Sequence, residues 1–375
     1  MEKIYTSLGL MSGTSMDGID ASIIKSNGED GYKVVLDQYF KYDDKLYEEL
    51  VDIRNKINNT KDLKTNLIAL SDIEKKITLF HAFVSKKIIN ENDINIDLIG
   101  FHGQTIFHNA NKKISKQLGD AKLLSGLLRK KIIYNFREND IENGGQGAPL
   151  APIFHQLLVN QNQIMLPACI LNIGGIANLT IVSSNNFNDL ISYDIGPGNC
   201  LLDEWIRKKS KNKFDRDGKL AQVGKTDKII LNQAVENFNN IKKNNILSFD
   251  IKDFDLNFVR GLSLEDGLST LTDFTVNIIC EAIINANDLN RDVKSNVLLC
   301  GGGRKNLSLI NGIKNMLPKN IKVSLIDDYN INGDFIESQA FAYLAIRSYL
   351  KKPLSFPKTT NVKKACTGGV LIKNY

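Results

Sequence analysis

Two stretches of this chain carry residue types that could do chemistry at close spacing. The first is Gly9-Leu10-Met11-Ser12-Gly13-Thr14-Ser15-Met16-Asp17-Gly18-Ile19-Asp20, small and polar at its centre and flanked by apolar runs over 4–10 and 21–24. Glycine lets backbone N–H groups come close to a ligand, and hydroxyls donate to anionic oxygens. A strand, this turn and a returning strand would suit a phosphate group; an ordinary Gly-rich β-turn has the same composition. The second is Asp194-Ile195-Gly196-Pro197-Gly198-Asn199, which follows a strand signal and precedes a helical pattern through Leu201, Leu202, Trp205 and Ile206. An acid at a strand tip is placed to take a proton, and a helix N-terminus attracts anions. A turn or helix-capping aspartate is the alternative.

Three further places belong with these. An apolar run over 96–101 leads into His102-Gly103-Gln104-Thr105, a polar cluster where α/β proteins place ligand contacts. His102 reads equally as a satisfied turn histidine or as a hydrogen bond to substrate. Gly174-Gly175 joins strand signals over 169–173 and 177–182, repeating the opening theme and suggesting an internal duplication. Gly301-Gly302-Gly303 follows the buried run 297–300, and a tight strand-to-helix turn needs one glycine, so three point to a ligand at the backbone. The segment 218–226 resembles a phosphate loop, but its glycines are one residue too far apart and no strand precedes it.

The elements that position these residues follow from periodicity. Strands over 4–10, 20–26 and 32–39 form an antiparallel meander. Helical spacing runs from 44 to 92 through Leu67, Leu70, Ile73, Ile77, Phe80, Phe83, Val84 and Ile88. A strand at 131–136 precedes the loop Gly144-Gly145-Gln146-Gly147-Ala148-Pro149, and a helix starts at Pro152. Later helices fall at 226–239 and 267–287, a strand at 321–326, and a closing helix opened by Glu337. Stretches 211–219 and 240–258 are rich in Lys and Asn and weakly patterned, and the last 25 residues read as an extended tail.

The chain has 375 residues, 42% hydrophobic and 24% charged, with a formal charge of +6 and no run of five like charges. That length and composition fit a soluble globular protein of two or three domains and argue against a nucleic-acid surface. No uninterrupted apolar stretch reaches 18 residues, so no membrane span is expected. The five cysteines, Cys169, Cys200, Cys280, Cys300 and Cys366, are scattered and read as reduced core residues; with no signal-peptide pattern, the expected location is cytoplasmic.

Taken in order, these motifs, with Asn172-Ile173-Gly174-Gly175-Ile176-Ala177-Asn178 and Phe214-Asp215-Arg216-Asp217-Gly218, resemble the anhydro-N-acetylmuramic acid kinases of bacterial cell-wall recycling. The resemblance spans almost the whole chain. It implies the two-domain fold shared by sugar kinases, actin and heat-shock chaperones, with mixed sheets flanked by helices and ATP in the cleft between domains. On that reading domain I covers 1–140 and 346–375, and domain II covers 141–345. Gly13, Thr14, Ser15, Met16, Asp17, Gly18, Ile19 and Asp20 would hold the ATP phosphates. Gly174 and Gly175 would form a second phosphate hairpin, and Gly301, Gly302 and Gly303 would approach the adenosine. Asp194 matches the family's general base, and His102 and Glu337 match sugar contacts. Mg2+ would arrive with ATP, with no metal site of its own. The implied substrate is 1,6-anhydro-N-acetylmuramic acid and the implied product N-acetylmuramic acid 6-phosphate, with no nucleic-acid or membrane partner and a homodimer left open. Two rivals stand beside this: a kinase of the same fold for another sugar, and a nucleotide-switched binding module. Asp194 weighs against the second, which needs no sugar-facing base.

Overall fold

The computed structural model describes residues 3–110, 112–242, 249–287 and 295–375, and residues 243–248 of the weakly patterned stretch 240–258 lie outside them. The chain divides into two compact units, residues 1–161 with 335–375 and residues 162–334.

Unit 1 is built on a mixed seven-stranded sheet. Strands β1 (Tyr5–Ser12), β2 (Gly18–Ser26) and β3 (Tyr32–Lys41) form the expected antiparallel meander. Helices α1 (Asp44–Lys56), α2 (Thr60–Thr65) and α3 (Leu67–Asn92) follow, with Asp43 capping α1 through the Leu46 amide. In α3 the apolar spacing buries Leu70, Ile73, Ile77, Val84 and Ile88, while Leu67 and Phe83 face solvent. Strand β4 (Leu98–Asn109) lies parallel to β1 and pairs with β5 (Ile114–Leu118) in a hairpin. The His102 cluster is therefore inside a twelve-residue strand, not beyond its end as its polarity suggested. After α4 (Ala121–Leu128) come β6 (Lys131–Tyr134), parallel to β4, and the short helix α5 (Glu138–Glu142).

Two helices correct the expected domain boundaries. In α6 (Pro152–Gln161), Phe154 packs edge-on against Tyr32 (5.1 Å) and contacts Tyr343 (5.7 Å), and the Gln161 side chain joins both backbone groups of Tyr32. Helix α12 (Ile336–Tyr349) lies directly on the sheet: a Cβ at Gly9 would stand 1.9 Å from Ser338 O, and one at Gly100 2.2 Å from Phe341 O. These contacts are long-range and leave no local mark in sequence. They move the boundaries from 141 and 346 to 162 and 335, and bring Glu337 into the same unit as His102. The tail is not extended either. Helix α13 (Pro357–Thr360) is followed by β12 (Val370–Ile372), which pairs antiparallel with β6.

Unit 2 holds a five-stranded mixed sheet, order β11-β10-β7-β8-β9. Strands β7 (Ala168–Ile173), β8 (Ile176–Val182) and β9 (Ile191–Pro197) are antiparallel neighbours. Helices α7 (Cys200–Lys209), α8 (Lys219–Val223), α9 (Lys228–Lys242) and α10 (Leu264–Asn287) precede β10 (Ser295–Cys300), parallel to β7; α11 (Leu307–Met316) leads to β11 (Ile321–Leu325), parallel to β10. Unit 1 repeats this order strand for strand as β6-β4-β1-β2-β3, with the same directions. The duplication suggested by the two Gly-turn hairpins is thus a duplication of whole sheets. Helix α10 is long and apolar enough over 264–286 to cross a membrane on length and mean hydropathy (1.3), although 72% of its most apolar window is buried in the protein. A count of uninterrupted apolar residues overlooked it because Asp266, Asp273 and Glu281 break the run.

Candidate active site

In the first hairpin, residues 13–17 form the turn between β1 and β2. Its stem is braced from below. The buried Ser12 Oγ lies 2.6 Å from Gln104 Oε1, 2.9 Å from Gly18 O and 3.1 Å from the Tyr42 hydroxyl, and Gln104 Nε2 donates to Gly13 O (3.0 Å). From sequence Gln104 was visible only as part of a polar cluster and Tyr42 was not singled out, since their partners lie 92 and 30 residues away. Thr14, Ser15 and Asp17 are exposed, and the Ser15 hydroxyl donates to Asp17. Three members of the expected phosphate set have no side chain open to that role and could serve it through backbone alone. Met16 and Ile19 pack into the core, and a Cβ at Gly18 would meet Phe40 O at 2.4 Å, so this glycine serves strand packing. Gly13, Thr14, Ser15 and Asp17 remain open, with Asp20 half-buried.

The second hairpin is tied to α7. Gly174 O accepts from the Asn199 amide (2.8 Å) and Asn199 Nδ2 (3.1 Å), while Gly175 O accepts from the Gly198 (2.9 Å) and Cys200 (3.2 Å) amides. The amides that open α7 thus donate to the turn, so the expected anion at this helix start finds its first donors taken.

Asp194 sits within β9, opposite Asn178 and next to a bulge in β9 where Ile195 is left without a partner, and is half-buried. Its Oδ2 accepts from the Phe249 amide (2.9 Å). Helix α7 begins instead at Asn199, with no side-chain cap. The helix-capping alternative for Asp194 is therefore overturned.

At the third glycine run the inference from glycine number needs correction. Gly301 has φ 77° and its Cβ would meet Asn172 Oδ1 at 2.3 Å; a Cβ at Gly303 would meet Ile173 at 2.3 Å. Both are required by packing on β7, and only Gly302 has open space. The buried Arg304 behind the turn donates to Asp327 (2.7 and 2.9 Å) and Asp334 (2.6 Å), which holds the loop in place. Gly218 docks on the start of α11: Ser308 Oγ donates to Gly218 O (2.7 Å), and a Cβ at 218 would meet Asn306 Oδ1 at 2.1 Å. The Asp215–Gly218 stretch, given no role from sequence, thus stands beside the segment that follows Gly302.

His102 and Glu337 are drawn together by a residue that sequence reasoning missed. Arg137 donates to His102 Nε2 through Nη2 (2.9 Å) and Nε (3.3 Å), and to Gly147 O through Nη1 (2.8 Å). His102 is buried, stacks near Phe341 (4.5 Å between centroids), and its Nδ1 lies 2.8 Å from Gly103 O. Burial, then the Arg137 charge, push its pKa well below the ordinary value, so the ring is neutral. Glu337, half-exposed one turn before Phe341 on α12, has its pKa raised by desolvation, with Arg137 pulling the other way. The local signal for Arg137 was a charge just after a buried strand, beside the Gly-rich loop.

Among the described residues no group of three His, Cys, Asp or Glu side chains could hold a metal ion.

The family model described as anhydro-N-acetylmuramic acid kinase matches residues 5–374. The chain is 62% identical over 375 residues to an anhydro-N-acetylmuramic acid kinase of Pelagibacter ubique, covering 100% of both chains. It is 35% identical over 379 residues to one of Methylobacterium nodulans, covering 97% of this chain and 98% of the relative. It is 34% identical over 385 residues to one of Agrobacterium fabrum, covering 100% of both. Among solved structures, the activator of a 2-hydroxyisocaproyl-CoA dehydratase from Clostridium difficile with bound ADPNP matches at a TM-score of 0.43 and 12% identity, covering 92% of this chain and 96% of that one. On its sequence over almost its full length, the chain belongs to the anhydro-N-acetylmuramic acid kinase family.

Proposed function

We propose that the protein is an ATP-dependent kinase that opens the 1,6-anhydro ring of 1,6-anhydro-N-acetylmuramic acid and phosphorylates O6, giving N-acetylmuramic acid 6-phosphate. The observation that carries this reading, beside the family membership, is a set of glycines the fold does not demand. Gly13 has ample room, with its nearest neighbour Ser15 Oγ at 3.9 Å; Gly174 is only in ordinary contact with Ile176 O at 3.5 Å; Gly302 has nothing within 4 Å. None of the three has a positive φ. A ligand that must touch backbone supplies the missing reason, and phosphate and adenosine are such ligands.

Phosphoryl transfer asks a protein for positioning and charge stabilisation. Gly13, Thr14 and Ser15 offer amides and hydroxyls to phosphate oxygens, Gly174 offers a second turn, and Gly302 with the Gly218 turn receives the adenosine. A divalent cation takes oxygen ligands; it would ride on the ATP phosphates and neutralise their charge, with Asp17 and Asp20 the carboxylates of the first hairpin.

Ring opening needs a base. Water attacks the anomeric carbon, the C1–O6 bond breaks, and O6 attacks the γ-phosphorus as the bond to the ADP oxygen breaks. One proton of the water passes to Asp194; the other stays on the new C1 hydroxyl. The Phe249 amide bond fixes the carboxylate in a defined rotamer, which favours a base that must meet one lone water. Arg137, held by the neutral His102, and Glu337 supply donors and acceptors for the sugar.

Incubation with ATP, Mg2+ and the anhydro sugar tests the reading. The expected product is a 6-phosphorylated reducing sugar with one ADP per sugar. Phosphorylation of another sugar with no action on the anhydro sugar would favour the rival kinase.

A further inference from the structure

We propose that Asp140 is a positioning residue of the sugar site, through which the C-terminal tail sets the loop that holds Arg137 on His102. This rests on the functional reading above.

Asp140, in α5, is 1% exposed. Its two oxygens face different parts of the chain. Oδ1 accepts from the hydroxyls of Ser355 and Thr360 (2.6 Å for Thr360), both buried tail residues; Oδ2 accepts from the Gly147 amide (2.7 Å). Gly145 leaves the room that the carboxylate fills, since a Cβ there would stand 2.2 Å from Oδ2. The tail also reaches the loop directly, Thr360 O accepting from the Gln146 amide (2.7 Å). On its other face, Gly147 O accepts from Arg137 Nη1, whose Nη2 and Nε meet His102.

The result is a chain of contacts in sequence: tail hydroxyls, Asp140, the two backbone groups of Gly147 on either side of its Cα, Arg137, His102. Every buried link in it is directional, and a buried carboxylate that loses a donor must re-form its contacts or remain under-satisfied. Loss of the tail hydroxyls therefore shifts Asp140, and with it the Gly147 carbonyl that aims Arg137. Asp140 touches neither His102 nor Glu337, so its effect on the sugar is exerted through Arg137.

The test uses Thr360→Val, which keeps side-chain shape and backbone but removes one donor, beside Thr360→Ser, which keeps it. Asp140→Asn is included, but Thr360→Val is decisive because it is the milder change. For Thr360→Val we expect the KM for the anhydro sugar to rise roughly tenfold with the KM for ATP unchanged. Amide exchange over 144–149 should speed up, and Thr360→Ser should restore both. A lower melting temperature with both KM values unchanged would make the clamp purely structural and overturn the proposal, as would unaltered exchange over 144–149. If the wild-type protein leaves the anhydro sugar untouched, the functional reading fails on its own; the exchange rates then still support or overturn the coupling of tail to loop.

Discussion

Arg137 turns one edge of its guanidinium onto His102, with Nη2 2.9 Å and Nε 3.3 Å from the same ring nitrogen. Two donors converge on Nε2, so Nε2 is the acceptor and the proton of the neutral ring sits on Nδ1, facing Gly103 O at 2.8 Å. The ring cannot act as a proton donor through Nε2 while Arg137 holds it.

Removal of that contact is therefore expected to change charge as well as shape. In Arg137→Gln the depressed His102 pKa should rise, because one of its depressing causes is gone. The raised pKa of Glu337 should rise further, because Arg137 opposes its shift. Sugar KM should increase by about tenfold or more, the lower range for losing a hydrogen bond to a charged group, with ATP KM little changed. Titration of the His102 ring by NMR, together with steady-state kinetics, checks both halves; an unmoved His102 titration would remove the electrostatic part.

Asp194→Asn separates base from brace. The amide oxygen can still accept from Phe249, so melting temperature and ligand affinities should hold. Turnover should drop by at least about 100-fold, the lower range for a lost general base. Asp194→Ala loses the brace too and should cost about 1 kcal/mol of stability in addition. Near-normal turnover in the Asn variant would take Asp194 out of the mechanism.

The two glycines of the first hairpin should respond in opposite ways. Gly13→Val meets open space and should fold, yet lose most ATP affinity. Gly18→Val meets Phe40 O and the Tyr39 ring and should fold poorly. Calorimetric titration with ATP and thermal melts on both proteins decide this, and a well-folded Gly13→Val protein with unaltered ATP affinity would argue against the phosphate role.

Buried histidines make stability fall toward acid. Burial lowers the pKa of His81 to about 4 and that of His155 to about 3, and His102 lies well below the ordinary value. The unfolded chain takes up these protons near pH 6.5 and the folded chain does not. Their contribution is complete above about pH 6.5 and is lost as pH falls below it, by about 1–2 kcal/mol per histidine at pH 5. Glu337, with a raised pKa, works in the opposite sense. Urea midpoints at pH 7.5, 6.5 and 5.5 should decline in that order, and the decline should be shallower in His81→Gln.

What was legible in sequence is what local patterning controls. Alternation and glycine turns marked the β1–β2 and β7–β8 hairpins, and helical spacing marked α3, α10 and α12. Asp194 was visible because a strand signal and a rigid turn bracket it. Its partner Phe249, 55 residues on, was not. The same limit hid Arg137 and Asp140, and the bracing role of Gln104, whose meaning lies in contacts across the unit. The glycine run 301–303 misled for a related reason: the demand for small residues came from Ile173 and Asn172 on a neighbouring strand, which no local count of glycines can register. Boundaries at 141 and 346 followed the family resemblance and the break at the Gly144–Pro149 loop, while α6 and α12 follow what they pack on.

The strand β12 carries one more consequence. It covers the outer edge of β6 with three residues, Val370, Leu371 and Ile372, two of them exposed. A bare strand edge is a template for pairing with other chains. A peptide fused after residue 375 that pulls this strand away would uncover Ile132 and Ile133 backbone groups, and the first symptom would be aggregation during expression. Placement of an affinity tag on this protein is thus a question of colloidal behaviour before it is one of enzymology.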